Sequence, residues 1–242
     1  MLYSRSILSL SLLIVFFGVT PVTSTAQDAG QRANTDNLLR GNSVIITSPL
    51  RATGVVGSPY FSDAWLAADI QLNNGQVLEE VRSRYNVWSD AIEVVHRADT
   101  LQLSEVLVRG FTFIMPGGHE VSFQNRVGVM PGEFGRNAYL QVLYEGEHAG
   151  VFKRHTKVIR EAQQGASGFG FVERHDSIES REMLLFQDAD GEFHRVRLNR
   201  RNVLRLFGDH DSDIRAYARQ HNLDFRSESD FIRMVQQYNS LL

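Results

Sequence analysis

The sequence predicts an α+β protein that is mainly β: an antiparallel β-meander, forming a curled sheet or partly closed barrel, followed by three C-terminal α-helices. Three observations carry this. Apolar residues fall on alternate positions through Leu66, Ala68, Ile70 and Leu72, and alternation resumes after Asn73-Asn74-Gly75, the period and punctuation of a hairpin. Short runs of the same kind, separated by Gly, Pro, Asn and Asp, continue as far as Leu198. At Asn199 the period changes from about 2 to about 3.6, and strands followed by helices define an α+β order.

In chain order, Val44-Ile45-Ile46 is a first strand or one closing the sheet edge, ended by Pro49. After a loop over 54–59 and the first hairpin, Val77, Val81 and Tyr85 are expected on one face with Glu79 and Ser83, and Leu78, Glu80, Arg82 and Arg84 on the other. Ile92 and Val94 follow the turn Asn86-Val87-Trp88-Ser89-Asp90. Leu101 and Leu103, then Val106-Leu107-Val108 and Phe111 to Ile114, read as further strands, the last two being a pair or one strand bent at Gly110. Met115-Pro116-Gly117-Gly118 turns the chain into Val121 and Phe123. A glycine-rich loop over 128–137 leads to a strand at Tyr139 to Tyr144, and a run from Val151 to Ile159 follows. Beyond a second loop, 163–170, Met183 to Phe186 and Phe193 to Leu198 flank an Asp190-Gly191 turn. The tail holds a helix with Val203, Leu204, Leu206 and Phe207 stopped at Gly208. A second helix, capped by Asp211 or Ser212, carries Ile214, Tyr217 and Ala218. Ser227 caps a third with Phe231, Met234, Val235 and Tyr238 on one stripe.

Residues 1–26 read as a signal peptide: Arg5 supplies the positive end, Ile7 to Val19 the apolar core and Ser24-Thr25-Ala26 the small residues before the cut. Gln27 is the expected mature N-terminus. The apolar run is short of the roughly 20 residues of a spanning helix, and no later run approaches it, so the mature chain is expected to be soluble and exported, in the periplasm, at the cell surface or secreted. Residues 27–42 form a polar, flexible leader segment, 43–198 the β domain and 199–242 a helical tail packed on it. The chain has no cysteine, so an exported fold rests on its core alone. Its net charge of −3, one unit more negative without Arg5, argues against nucleic acid as a partner.

Two patches carry a resemblance. Gly57-Ser58-Pro59-Tyr60 with Arg84-Tyr85-Asn86-Val87-Trp88-Ser89-Asp90, and the tail from Asn199 to Tyr238-Asn239, resemble a widespread group of uncharacterised exported bacterial proteins of the Bacteroidetes type. The resemblance spans most of 55–242, weakly in the middle. It implies export and a β-rich body with a helical tail, and no activity.

Candidate binding residues are Arg84, Tyr85, Asn86 and Asp90, for which turn chemistry is the favoured reading because Asx side chains bond nearby backbone amides. The second set is Lys153, His155 and Lys157, on one face of a strand, where an anionic glycan or lipid headgroup would bind; a charged, protected strand edge is the favoured alternative. Asp209, Asp211 and Asp213 have the spacing of a calcium loop but lack its later glycine and glutamate. The eight histidines show no metal-binding helical spacing, and no nucleophile elbow, phosphate loop or dinucleotide fingerprint occurs. No catalytic, cofactor or metal residue is predicted. The expectation is a non-enzymatic exported envelope protein that binds or scaffolds another component, an envelope protein or an anionic glycan or lipid. One alternative is a periplasmic carrier of an apolar ligand, enclosed by Phe111, Phe113, Phe123, Tyr139 and Phe152. The other is a hydrolase built on the loops over 128–137 and 163–176.

Overall fold

The computed structural model of the protein describes residues 44–46, 55–97, 99–127, 137–161 and 175–242. The expected signal peptide, the leader segment, 128–136 and 163–170 lie outside these residues. The strands are β1 (Val44–Ile46), β2 (Val55–Val56), β3 (Leu66–Leu72), β4 (Val77–Asn86), β5 (Ala91–His96) and β6 (Asp99–Leu103). There follow β7 (Val108–Ile114), β8 (Glu120–Val127), β9 (Asn137–Glu145), β10 (Gly150–Arg160), β11 (Asp176–Gln187) and β12 (Phe193–Arg195). Three helices complete the chain: α1 (Arg200–Leu206), α2 (Asp211–Gln220) and α3 (Glu228–Asn239). No helix among the described residues is long and apolar enough to cross a membrane.

All twelve strands join one sheet in the order β1-β6-β5-β4-β3-β7-β8-β9-β10-β11-β12, with β2 beside β11. The predicted single meander is two meanders placed back to back on β3, whose edges pair β4 and β7. The sheet is mixed, because β2 runs parallel to β11. It is also strongly curled without closing. Between β6 and β7 lie β5, β4 and β3, a lateral path of about 19 Å in a flat sheet. Yet the two strands are joined by one tight turn, Leu107 N–H donating to Ser104 O at 2.9 Å, whose ends lie within about 7 Å.

Two local features depart from simple alternation. On β4, Leu78 is buried and Val77 is 45% exposed, the reverse of the expected facing, whereas Ser83 and Tyr85 are buried as expected. The reason is a bulge: Ala68 pairs Val81 but Ile70 pairs Leu78, so β4 holds one extra residue and its facing flips. Glu80 takes the strain at φ 50, its N–H held by the Asp69 carboxylate at 2.8 Å. At the first hairpin, Gly75 alone is left-handed, at φ 86, where the Asn-Gly pair predicts two such residues. Gly75 N–H donates to Leu72 O and Leu72 N–H to Gln76 O, a turn plus glycine bulge. Val106, expected in a strand, sits in the β6–β7 turn and is 72% exposed. Of the two readings of the next segment, one strand bent near Gly110 is the one adopted.

The concave face buries Ile70, Tyr85, Ile92, Phe111, Phe113, Phe123 and Tyr139 in one cluster. The helical tail closes a second cluster over the end of β9 to β11: Phe207, Ile214, Phe231, Met234 and Tyr238 pack with Val151 and Phe186. Asn199 and Ser227 cap α1 and α3 through their side chains. Asn239 fastens the tail. Its Oδ1 accepts from the His148 and Ala149 amides, both at 2.9 Å, and its Nδ2 donates to Ala149 O at 3.1 Å and Val235 O at 3.0 Å. A Cβ on Gly146 would lie 2.5 Å from Asn239 Oδ1, so the β9–β10 turn has glycine where this side chain plugs in.

Gly146→Ala is therefore expected to destabilise the fold by about 1–3 kcal/mol, read as a lower urea midpoint at unchanged slope. In an Asn239→Ala background the same change should cost less, because the obstructing group is gone. Equal costs in the two backgrounds would contradict the contact.

Candidate functional site

The two patches singled out from the sequence near Gly57 and Arg84 meet in space. Gly57, at φ 118 and 3.1 Å from Ile178 for an added Cβ, lets the chain leave β2 closely against β11. Pro59 O then accepts from Val87 N and Trp88 N, Phe61 N donates to Tyr85 O, and Tyr60 bridges Asn86. This strap crosses from the β11 edge to the β4–β5 hairpin. Phe61 plugs its ring against Phe113, Phe123 and His155.

Strand alternation divides the candidate residues Arg84, Tyr85, Asn86 and Asp90 into two networks. On the outer side, Arg84 donates to Glu93 Oε2 at 2.9 Å, and its guanidinium lies 3.4 Å from the Tyr60 ring centroid and 4.4 Å from that of Trp65, a stacked cation between two rings. Tyr60 OH reaches Glu93 at 3.3 Å; burial, and then Glu93, raise its pKa. Glu93 is only 6% exposed, so its charge is held by these donors. Asn86 Oδ1 accepts from the Trp88 and Ser89 amides, both at 3.1 Å. That is the turn chemistry expected of it.

On the inner side, Asp90 sits at φ 53 and takes a two-pronged pair from Arg154, Nη1 to Oδ1 at 2.9 Å and Nη2 to Oδ2 at 3.0 Å. Tyr85 OH donates to the same carboxylate, and Arg154 also donates to Tyr139 O at 3.1 Å, just past the end of the β9–β10 ladder at Lys153 and Gln141. Burial holds the Tyr85 phenol far above its ordinary pKa, with Asp90 adding to it. For Arg154 burial opposes the charge, but Asp90 and Tyr85 together outweigh it and its pKa is raised.

The second set lies along β10 and is engaged by the protein's own groups. Lys153 Nζ bonds Glu228 at 2.9 Å and Glu182 at 3.4 Å, tying the first turn of α3 to the sheet; burial lowers its pKa but Glu228 and Glu182 together more than compensate. His155 Nε2 meets Gln141 Oε1 at 2.7 Å and Nδ1 lies 3.5 Å from Glu182. Lys157, farther along, donates to Ser180 Oγ at 2.8 Å. The structure thus brings Lys153 and His155 together around Glu182, and these contacts favour a structural role over an anion site. Among the described residues no group of three or more His, Cys, Asp or Glu is placed to hold a metal ion.

Arg154, Trp65, Glu93, Glu182 and Glu228 complete these networks and were not singled out from the sequence. Arg154 carried a usable signal: it shares its parity with Phe152, not with Lys153, His155 and Lys157, and a charge on an apolar parity is aimed inward. The others are joined across long sequence separations that no local pattern encodes.

Burial pushes the His155 pKa down to about 4, against the opposing pull of Glu182. The unfolded chain, near 6.5, takes up the proton first, so the contribution of neutral His155 is complete above about pH 6.5 and is lost as pH falls toward 4, amounting to about 3 kcal/mol. His155→Gln is expected to flatten this part of the stability profile in urea titrations at stepped pH. Parallel profiles for the two proteins would contradict the assignment.

Set against known protein families, characterised proteins and solved structures, the chain has no match, and its function is argued from this geometry.

Proposed function

We propose that the protein is a non-enzymatic binding module of the cell envelope, exported by its leader, which meets a protein partner through the tip of the β4–β5 hairpin. Trp88 carries the reading. Its side chain is 48% exposed, yet its backbone is fixed by Pro59 O and Asn86 Oδ1, and two residues later Asp90 is clamped by Arg154. A tryptophan presented on an ordered backbone loses little freedom on binding, and Trp, Tyr and Arg supply most interface hot spots. The stack of Tyr60, Arg84 and Trp65, extended by Arg82 at 6.0 Å from the Trp65 ring, begins one residue from Pro59 and continues that surface.

A second observation favours this reading over the apolar carrier. Phe111, Phe113, Phe123, Tyr139 and Phe152 are each at most 2% exposed, so these rings are covered by protein atoms. Phe111 packs on Phe123 at 5.0 Å and on Tyr139 at 5.1 Å between centroids, the spacing of filled aromatic cores. The hydrolase reading rests on loops that lie mostly outside the described residues.

The test is site-specific photocrosslinking in the producing cell, with the crosslinker at position 88 and, as control, at position 219 on the exposed side of α2. A discrete protein adduct from position 88 alone is expected. Free monomer at both positions, or the same adducts from both, would overturn the proposal.

A further inference from the structure

A polar cleft lies on the outer face of the sheet, away from the Trp88 tip, and is lined by Gln71, Arg109, Gln124, Asn125, Arg126 and Glu145. The geometry points to this cleft as a binding site for one acidic saccharide unit, a hydroxyl-rich ring bearing a carboxylate.

The cleft is built by the strand register. Gln71, Gly110 and Gln124 stand directly across from one another on β3, β7 and β8. Gly110 has no side chain, and a Cβ there would come within 2.6 Å of Phe123 O. The close approach of the two strands therefore requires glycine, and Gly110 adds no side chain between the two glutamines. Beside it the β7 ladder skips one residue, Gln71 pairing Gly110 and Leu72 pairing Val108. Arg109 is the extra residue of that bulge, which re-aims it toward the opening.

The two walls differ in kind. On one side Arg126 donates to Gln124 Oε1 and to Glu145, and Gln124 Nε2 donates to Glu145 Oε2 at 2.9 Å. These three groups hold one another in place. On the other side Arg109 is exposed and, among the described residues, forms no ion pair or hydrogen bond. Its planar fork is the unengaged cation of the cleft and matches a carboxylate in two-point geometry.

Size and polarity narrow the ligand. The volume is about 230 Å³, below the roughly 300–1,000 Å³ of sites for drug-sized molecules, and suits a single ring. Every lining side chain is polar, which disfavours an apolar occupant. The amides of Gln71 and Gln124 both donate and accept, and Glu145 accepts, the combination that reads hydroxyl groups. Glu145 also places a negative charge beside the space, which counts against a compact dianion such as phosphate and favours one carboxylate held at the Arg109 end.

The experiment is a two-dimensional amide NMR titration of the mature chain with methyl glucuronide, methyl glucoside and inorganic phosphate. Methyl glucuronide is expected to give saturable shifts at the Gly110 amide and at the side-chain amides of Gln71 and Gln124. Arg109→Gln, at an exposed position, should leave the spectrum of the free protein otherwise unchanged and weaken glucuronide binding about tenfold or more. Arg205→Gln on α1 should leave it unaltered. The proposal is overturned by no saturable shift, by equal binding of phosphate or of the neutral glucoside, or by an Arg109→Gln protein that binds as the original does.

Discussion

The fold depends on the buried pair between Arg154 and Asp90. A curled sheet of this size has two halves that share only β3 as a hinge, and hydrogen bonding along the sheet does not by itself set how far they curl. Arg154 on β10 and Asp90 at the tip of the β4–β5 hairpin come from opposite halves, and their two-pronged contact at 2.9 and 3.0 Å fixes that distance. Arg154 is 5% exposed and the Asp90 side chain 19%, so the guanidinium above all cannot be left alone without a desolvation cost. The Tyr85 hydroxyl donates to Asp90 and the Tyr139 carbonyl accepts from Arg154 Nη1, which offsets part of the cost of burying the charge, while among the described residues Arg154 Nε is buried without a hydrogen bond.

The strap from Gly57 to Phe61 does the same work on the other side of the hairpin. It starts at the β11 edge, passes its Pro59 carbonyl to the turn amides and its Tyr60 ring to Arg84, and ends with Phe61 covering the aromatic core. Arg154 holds the hairpin from within and the strap holds it from without. A turn fixed twice in this way presents Trp88 without backbone freedom, and that rigidity links the architecture to the proposed contact surface. The helical tail is attached by other contacts: its own cluster, Asn239 in the β9–β10 turn, and Glu228 to Lys153, the residue before Arg154 on β10.

Element type was legible from the sequence because strand and helix periods are local. The hairpins at Gly75 and Gly191, the cap at Ser227 and the stripe of α3 follow from residues within a few positions of one another; the cap expected at Asp211 or Ser212 is not formed, since α2 starts at Asp211 behind His210, which makes no side-chain cap bond. Strand order was not legible, since the return of β7 to β3 depends on curvature, and curvature is set by the bulge at Glu80 and by contacts between Arg154 and Asp90. The bulge also explains why Leu78 and Val77 exchanged faces: a single extra residue inverts every later alternation. At the candidate site, Asn86 was readable as turn chemistry. Arg84 and Tyr85 were readable as facing opposite ways, but their partners Glu93, Tyr60 and Arg154 were not, because these come from three other segments.

The most direct test of the clamp is a double-mutant cycle at Arg154 and Asp90 measured by urea unfolding, using Arg154→Met and Asp90→Asn, the latter chosen because asparagine tolerates the left-handed backbone there. Arg154→Met alone is expected to cost about 3 kcal/mol, since it strands the half-buried Asp90 carboxylate, and the double variant should be more stable than the sum of the single losses by well over about 0.5 kcal/mol. Additive losses would show that the two side chains do not depend on each other, and the clamp would no longer account for the curl of the sheet.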